Sequence, residues 1–180
     1  MILIGEIRAR ETMEYCIQFA ETGHLVLATL HANSSNQALD RMINFFPEER
    51  REQLLMDLSL NIRGLISQRL IPRESGSGRI AAMEIMLNSP LIQDLIFRGE
   101  VAKIKEVMAR STRVGMKTFD QALFDLFEQG HISYEDALRN ADSKNELRLR
   151  VKLESKRENK PIETGDDLQI AEDAQQGKSF

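Results

Sequence analysis

The first thirty residues constrain the fold more than any other stretch. An apolar run, Ile2-Leu3-Ile4-Gly5-Glu6-Ile7, is followed by a segment of helical spacing from Arg10 to Glu21, with Met13, Ile17 and Ala20 on one face. Thr22-Gly23 stops that helix, and a second short apolar run, Leu25 to Leu30, reads as a buried strand. Strand, helix, strand is a βαβ unit, whose crossover makes the two strands parallel. The fold class is therefore α/β. Both strands end at the same edge of the sheet, the edge at which open α/β sheets bind ligands, and they bring Glu6 and His31 there together.

Downstream, Ser34 or Ser35 caps a helix through Ala38, Leu39, Met42 and Ile43, which Phe45-Phe46-Pro47 punctuates. A charged helix is predicted from Glu48 to Ile66. Strands return at Leu65 to Ile71 and Arg79 to Leu87, around a loop, Pro72 to Gly78, whose glycines and serines mark a hairpin turn. Beyond Asn88-Ser89-Pro90 the pattern is helical: Leu91 to Phe97, Val101 to Met108, Phe119 to Phe127 and Tyr134 to Arg139. The expected organisation is a core over residues 1–88, a small helical subdomain over 89–153 and a disordered tail over 154–180. The tail is too poor in large apolar groups to offset its ordering entropy.

Two features invite over-reading. Leu147, Leu149, Val151 and Leu153 alternate with Arg148, Arg150 and Lys152, a period of two that suggests a basic strand edge. A half-buried closing strand or a solvated helix end is the plainer expectation and is preferred. In the tail, Gly177-Lys178-Ser179 matches the end of a phosphate-loop pattern. Glu172 occupies the first glycine position, no strand precedes it, and no function is assigned to it.

Charge narrows the partners. Twenty-eight acidic residues against 24 basic ones leave a net charge of -4, which offers no broad field for nucleic acid or an anionic membrane. No apolar run approaches the roughly 18 to 20 residues of a membrane span, and no signal peptide is seen, so the expected location is cytoplasmic. The lone cysteine, Cys16, excludes an intrachain disulfide and a Cys-x-x-Cys zinc clip, and reads as a small buried hydrophobe.

Glu6 is the leading site candidate, because a carboxylate ending a buried strand is costly without a charged partner or a task. Arg8, Arg10 and Glu11 extend a charged rim beside it. Thr29, His31 and Asn33 share one side of the second strand's exit and supply a hydroxyl, an imidazole and an amide suited to a phosphate oxygen or an ordered water. His24, seven positions before His31, points to the opposite face and does not pair with it around a metal. An acid-bearing strand without a glycine-rich phosphate loop upstream looks like half of a nucleotide-driven motor.

Gly5-Glu6-Ile7-Arg8, followed by Glu11-Thr12, resembles the Walker B segment of the secretion and type IV pilus ATPases. Thr22-Gly23-His24 through Thr29-Leu30-His31-Ala32 resembles their histidine box. Ile66-Ser67-Gln68-Arg69-Leu70, Arg79 to Ile85 and Gly115-Met116-Lys117-Thr118-Phe119 are similar to the PilT/PilU retraction-motor branch, nearer its PilU-like members. The resemblance covers residues 1 to about 153. It implies a RecA-like ATPase core with an incomplete sheet, ATP and Mg²⁺ as the family's ligands, and a homohexameric ring that drives pilus disassembly and twitching motility. By the same likeness Glu6 polarises the water attacking the γ-phosphate, His31 senses the phosphate site, and Arg8 and Thr29 belong to the same nucleotide-facing rim. PilT-like subunits and an inner-membrane pilus platform protein are the implied partners, at the cytoplasmic base of the pilus.

Three departures stand out. The family's Asp after Gly-Glu-Ile-Arg is Ala9 here. The segment Ser89 to Arg98 keeps only the apolar Ile92, Leu95 and Ile96 of the family's Ala-Ile-Arg-Asn-Leu-Ile-Arg-Glu motif. The family's amino-terminal domain, phosphate loop and arginine fingers have no counterpart, so the likeness is to a carboxyl-terminal fragment, expected neither to bind ATP tightly nor to hydrolyse it at a motor-like rate by itself. The alternative is a non-catalytic module that docks on a PilT-like motor or platform protein. A secretion or pilus-extension ATPase is disfavoured, since many of those carry a four-cysteine zinc insert.

Overall fold

The structure, a computed structural model, describes residues 1–157. Strand β1 (Ile2–Ile4), helix α1 (Arg10–Glu21) and strand β2 (Val26–Ala28) form the expected βαβ unit, with β1 and β2 parallel and Leu3 opposite Leu27. Helix α2 (Ser35–Asn44) is capped by Ser34, whose hydroxyl accepts from the Gln37 amide at 3.3 Å. A single 3-10 turn, Glu48–Arg50, leads into α3 (Arg51–Asn61).

The long antiparallel hairpin follows, β3 (Gly64–Pro72) against β4 (Arg79–Leu87), in a register that pairs Gly64 with Leu87 and Pro72 with Arg79. The helix predicted to reach Ile66 therefore stops at Asn61, and Ile62 is already extended. The pairing with β4 claims residues 64–66, and it requires a glycine at 64: a Cβ there would stand 2.9 Å from the Met86 carbonyl oxygen. That distance is closer than packed atoms tolerate without a shift of the backbone.

The remaining helices are α4 (Pro90–Phe97), α5 (Ile104–Arg110), α6 (Phe119–Glu128), α7 (Tyr134–Asn140) and α8 (Lys144–Glu154). Their starts are encoded locally: Ser89, Ser133 and Ser143 cap α4, α7 and α8, while Thr118 and Gln121 form a capping box on α6. The alternating stretch 146–153 is thus helix rather than strand. Leu147 and Val151, four apart, are each 1% exposed, whereas Leu149 and Leu153 face out. Its spacing satisfies both periods, and packing chose the helical one.

Two buried clusters form. The first gathers Ile7, Leu39, Leu58, Met86, Ile96 and Met108, so α4 and α5 pack with the βαβ unit. The second gathers Ile71, Ala82, Phe119, Leu123, Phe127 and Val151 around the distal half of the hairpin. The hairpin belongs to both.

Residues 154–157, expected as the start of the tail, are held against the body of the protein. Glu154 closes α8, the Ser155 hydroxyl meets the Glu128 carboxylate, and Arg157 donates to the Phe127 carbonyl at 2.7 Å and pairs with Glu74 at 3.1 Å. The Arg157 guanidinium also lies over the Phe127 ring, 4.6 Å from its centroid. The rest of the expected tail, with Gly177-Lys178-Ser179, lies outside the described residues. Among the described residues, no helix is long and apolar enough to cross a membrane.

Candidate functional site

The ladder between the first two strands continues past their regular ends. The Ile7 amide donates to the Thr29 carbonyl at 2.9 Å, and the Thr29 hydroxyl donates to the Gly5 carbonyl. Ile7 turns inward and is buried, so Glu6, its neighbour, must turn to the outer side of the sheet edge. There its carboxylate is held from two directions. Arg8 Nε donates to Oε2 at 2.6 Å, and His31 Nε2 stands 3.0 Å from Oε1. The Glu6 side chain is only 19% exposed, while those of Arg8 and His31 are both 78% exposed.

The βαβ geometry thus brings the acid and the imidazole, 25 positions apart in the chain, into direct contact. The hydrogen bond from Arg8 holds the Glu6 carboxyl below its ordinary range, against a smaller opposing effect of burial, and the charges of Arg8, His31 and Arg41 act in the same direction. The same bond raises Arg8. The result is a fixed, ionised acceptor with exposed proton donors on both sides.

The other residues singled out in the sequence sit as follows. The hydroxyl proton of Thr29 is used on the Gly5 carbonyl, which leaves its oxygen as an acceptor toward any ligand. Asn33 is exposed, its amide accepted by the Gln37 side chain at 3.1 Å. His24 lies at the far end of β2, with Nδ1 3.1 Å from the Thr22 hydroxyl and its ring edge-on to Phe19. Cys16 is buried, which pushes its thiol upward and away from thiolate.

Arg41 was not anticipated. It donates to the His31 carbonyl at 3.0 Å and, with His31, Gln37, Asp40 and Asn44, lines an open depression. Its signal was present in the sequence, since Gln37, Arg41 and Asn44 fall on one polar face of the helix that follows His31. Among the described residues, no three His, Cys, Asp or Glu side chains are arranged to hold a metal ion. The acceptor set at Glu6 suits a water molecule or a phosphate-bound Mg²⁺, but residues 1–157 contain no glycine-rich loop with a lysine to cradle phosphates.

Residues 1–76 match the family model described as Type II/IV secretion system protein. The type IV pilus ATPase PilU of Pseudomonas aeruginosa is 52% identical across all of this chain and 48% of its own length. The chain belongs to the PilT/PilU family of type IV pilus ATPases. The type IV pilus retraction ATPase PilT of the same organism is 40% identical over 78% of this chain and 41% of PilT. A crystal structure of the pilus retraction motor PilT with bound ADP superposes with a TM-score of 0.74 at 35% identity, over 82% of this chain and 41% of that one. The α/β fold is accordingly part of a RecA-like ATPase core. The chain spans less than half the length of the relatives it matches.

Proposed function

We propose that this chain is the hydrolytic portion of a PilU-like type IV pilus retraction motor, in which Glu6 orients and polarises the water that attacks the γ-phosphate of ATP. The reading is carried by one observation: an ionised, oriented carboxylate at the carboxyl end of a parallel strand, contacted by Arg8 and by His31. A positioned carboxylate of this kind accepts a hydrogen bond from water and lowers the barrier without being consumed. His31 is the residue that registers the occupant of the phosphate site, because its Nε2 proton faces the acid whose charge and water would change on hydrolysis. Arg8 and Thr29 complete the rim. In this scheme Gly5 to Arg8 serves as the Walker B segment and Thr22 to Ala32 as the histidine box.

ATP with Mg²⁺ supplies the labile phosphoanhydride and the charge neutralisation; the residues here supply orientation and proton handling. Because residues 1–157 contain no glycine-rich loop with a lysine to cradle phosphates, the chain by itself does not sustain motor-rate hydrolysis. The working form in this reading is a homohexameric ring at the cytoplasmic base of the pilus, together with PilT-like subunits and an inner-membrane platform protein, and it drives pilus disassembly and twitching motility.

The test is E6Q in the assembled, nucleotide-competent protein. Amide replaces carboxylate at equal size, so ATP binding is retained while turnover falls by about 100-fold or more, in line with losing a positioned general base. Turnover within a few-fold of the parent would remove Glu6 from the reaction.

A further inference from the structure

Glu84 is 0% exposed, in a strand of otherwise apolar inward residues, and it has nothing to do with the Glu6 cluster directly. Its Oε1 accepts from the Ser35 amide at 2.6 Å, 49 positions away, while Oε2 has no hydrogen-bond partner among the described residues. A buried carboxylate is retained at such a site when a charge-assisted bond holds it, and here the bond comes from the first turn of α2, where the helix dipole also favours an anion. Ser34 and Ser35 are themselves buried.

On the partner strand, Arg69 pairs with Ala82, two residues before Glu84, so Arg69 and Glu84 project from the same face of the hairpin. Arg69 Nη2 donates to the Asn33 carbonyl at 3.3 Å and to Asp142 Oδ1 at 2.8 Å, and Nη1 donates to the Asn140 carbonyl at 2.6 Å. Its guanidinium is stacked over the Phe119 ring, 3.9 Å from the centroid. Asp142 is shared with Lys105 on α5, and its own amide and that of Ser143 are accepted by Asp120 of α6.

The hairpin therefore grips the backbone of residues 33–35, the segment that leaves His31 for α2, at two points. One of the two points is also bonded to the turn between α7 and α8. We propose that Arg69 and Glu84 are positioning residues for His31, and that Arg69 makes the α7–α8 turn a second determinant of where that imidazole sits. Displacement of the turn would move His31, and displacement of His31 would move the turn, because both hang on one planar guanidinium. The functional weight of this clamp rests on the reading of His31 as a site residue.

The experiment uses the 180-residue chain without nucleotide, so it is independent of whether Glu6 catalyses hydrolysis. Amide hydrogen exchange and the His31 ring resonances are followed by NMR in R69K, D142N and E84Q, with Gln68→Ala, an exposed position on the same strand, as the control. Lysine keeps the charge of Arg69 but cannot reach Asn33, Asn140 and Asp142 together. In R69K and in D142N the amides of residues 32–37 exchange about tenfold faster and the His31 ring signals shift, the size expected for losing a bond to a charged group. E84Q replaces the charged acceptor of the Ser35 amide by a weaker neutral one, so that amide exchanges faster, and the control changes neither. If E84Q loses the whole ladder of the hairpin, R69K and D142N still decide. Should both alter only residues 140–143, with residues 32–37 and the His31 ring untouched, the clamp does not exist.

Discussion

Glu6 sits where every charged neighbour pushes its titration the same way. The Arg8 hydrogen bond is the largest effect, and the charges on Arg8, His31 and Arg41 add to it. A carboxyl whose folded pKa lies below its unfolded value contributes stability above the unfolded value and loses it as pH falls through the folded one. The Glu6–Arg8 ion pair is thus intact at neutral pH and dissolves only in acid. Arg8→Ala removes the main cause, so the Glu6 carboxyl is expected to titrate at higher pH, moving back toward the ordinary range, as read by its carbon-13 shift. No movement would show that His31 and Arg41 alone hold the charge. Since Arg8 is largely exposed, the substitution perturbs this titration without disturbing the fold.

At the scale of elements, α8 offers the clearest contest between two readings of one segment. In the helix, Leu147→Ala creates a cavity beneath a side chain 1% exposed and costs about 2 to 5 kcal/mol, while Leu149→Ala, more than half exposed, stays within about 0.5 kcal/mol. A strand would put both on one face and make the costs alike; urea unfolding of the two variants separates the cases. The βαβ opening and the hairpin were legible because their signals are local: a switch of period, a Thr22-Gly23 stop, and glycines in the turn that take positive φ at Gly76 and Gly78. The convergence of Glu6 and His31 was legible too, since parallel strands leave no other arrangement of their carboxyl ends. The end of α3 was not, because its limit is imposed by β4 pairing with residues 64–66 rather than by a breaker in the helix. Nor were Arg69 and Glu84 as supports of the His31 segment, whose contacts span 36 and 49 positions and depend on the register of the hairpin. Glu84 did leave a trace, an acid at an inward position between Ala82 and Met86.

For the molecule as a whole, the decisive feature is that one hairpin is shared between two buried clusters. Met86, near its base, is packed with the βαβ unit and α2 to α5; Ile71 and Ala82, farther along, are packed with α6 to α8. Communication between the clusters runs through the hairpin and the side chains that flank it, above all Arg69 and the Phe119 ring beneath its guanidinium, alongside the Lys105–Asp142 pair and the Gln121 bond to the Ala109 carbonyl. Phe119 is fully buried in the second cluster, and Phe119→Ala is expected to cost about 3 to 5 kcal/mol through lost transfer energy and a residual cavity. That loss falls unevenly. Helices α6 to α8 and the distal hairpin lose protection in hydrogen exchange read by mass spectrometry, whereas α1 to α3 keep most of theirs, because Leu39, Leu58 and their neighbours retain every contact. The loop at Asn33 is the exception within the first cluster, since it loosens along with Arg69. Uniform loss across residues 1–157 would mean that the clusters unfold as one unit and that the hairpin transmits destabilisation without attenuation, since a shared element can confine a loss to one cluster only if the other keeps its own packing.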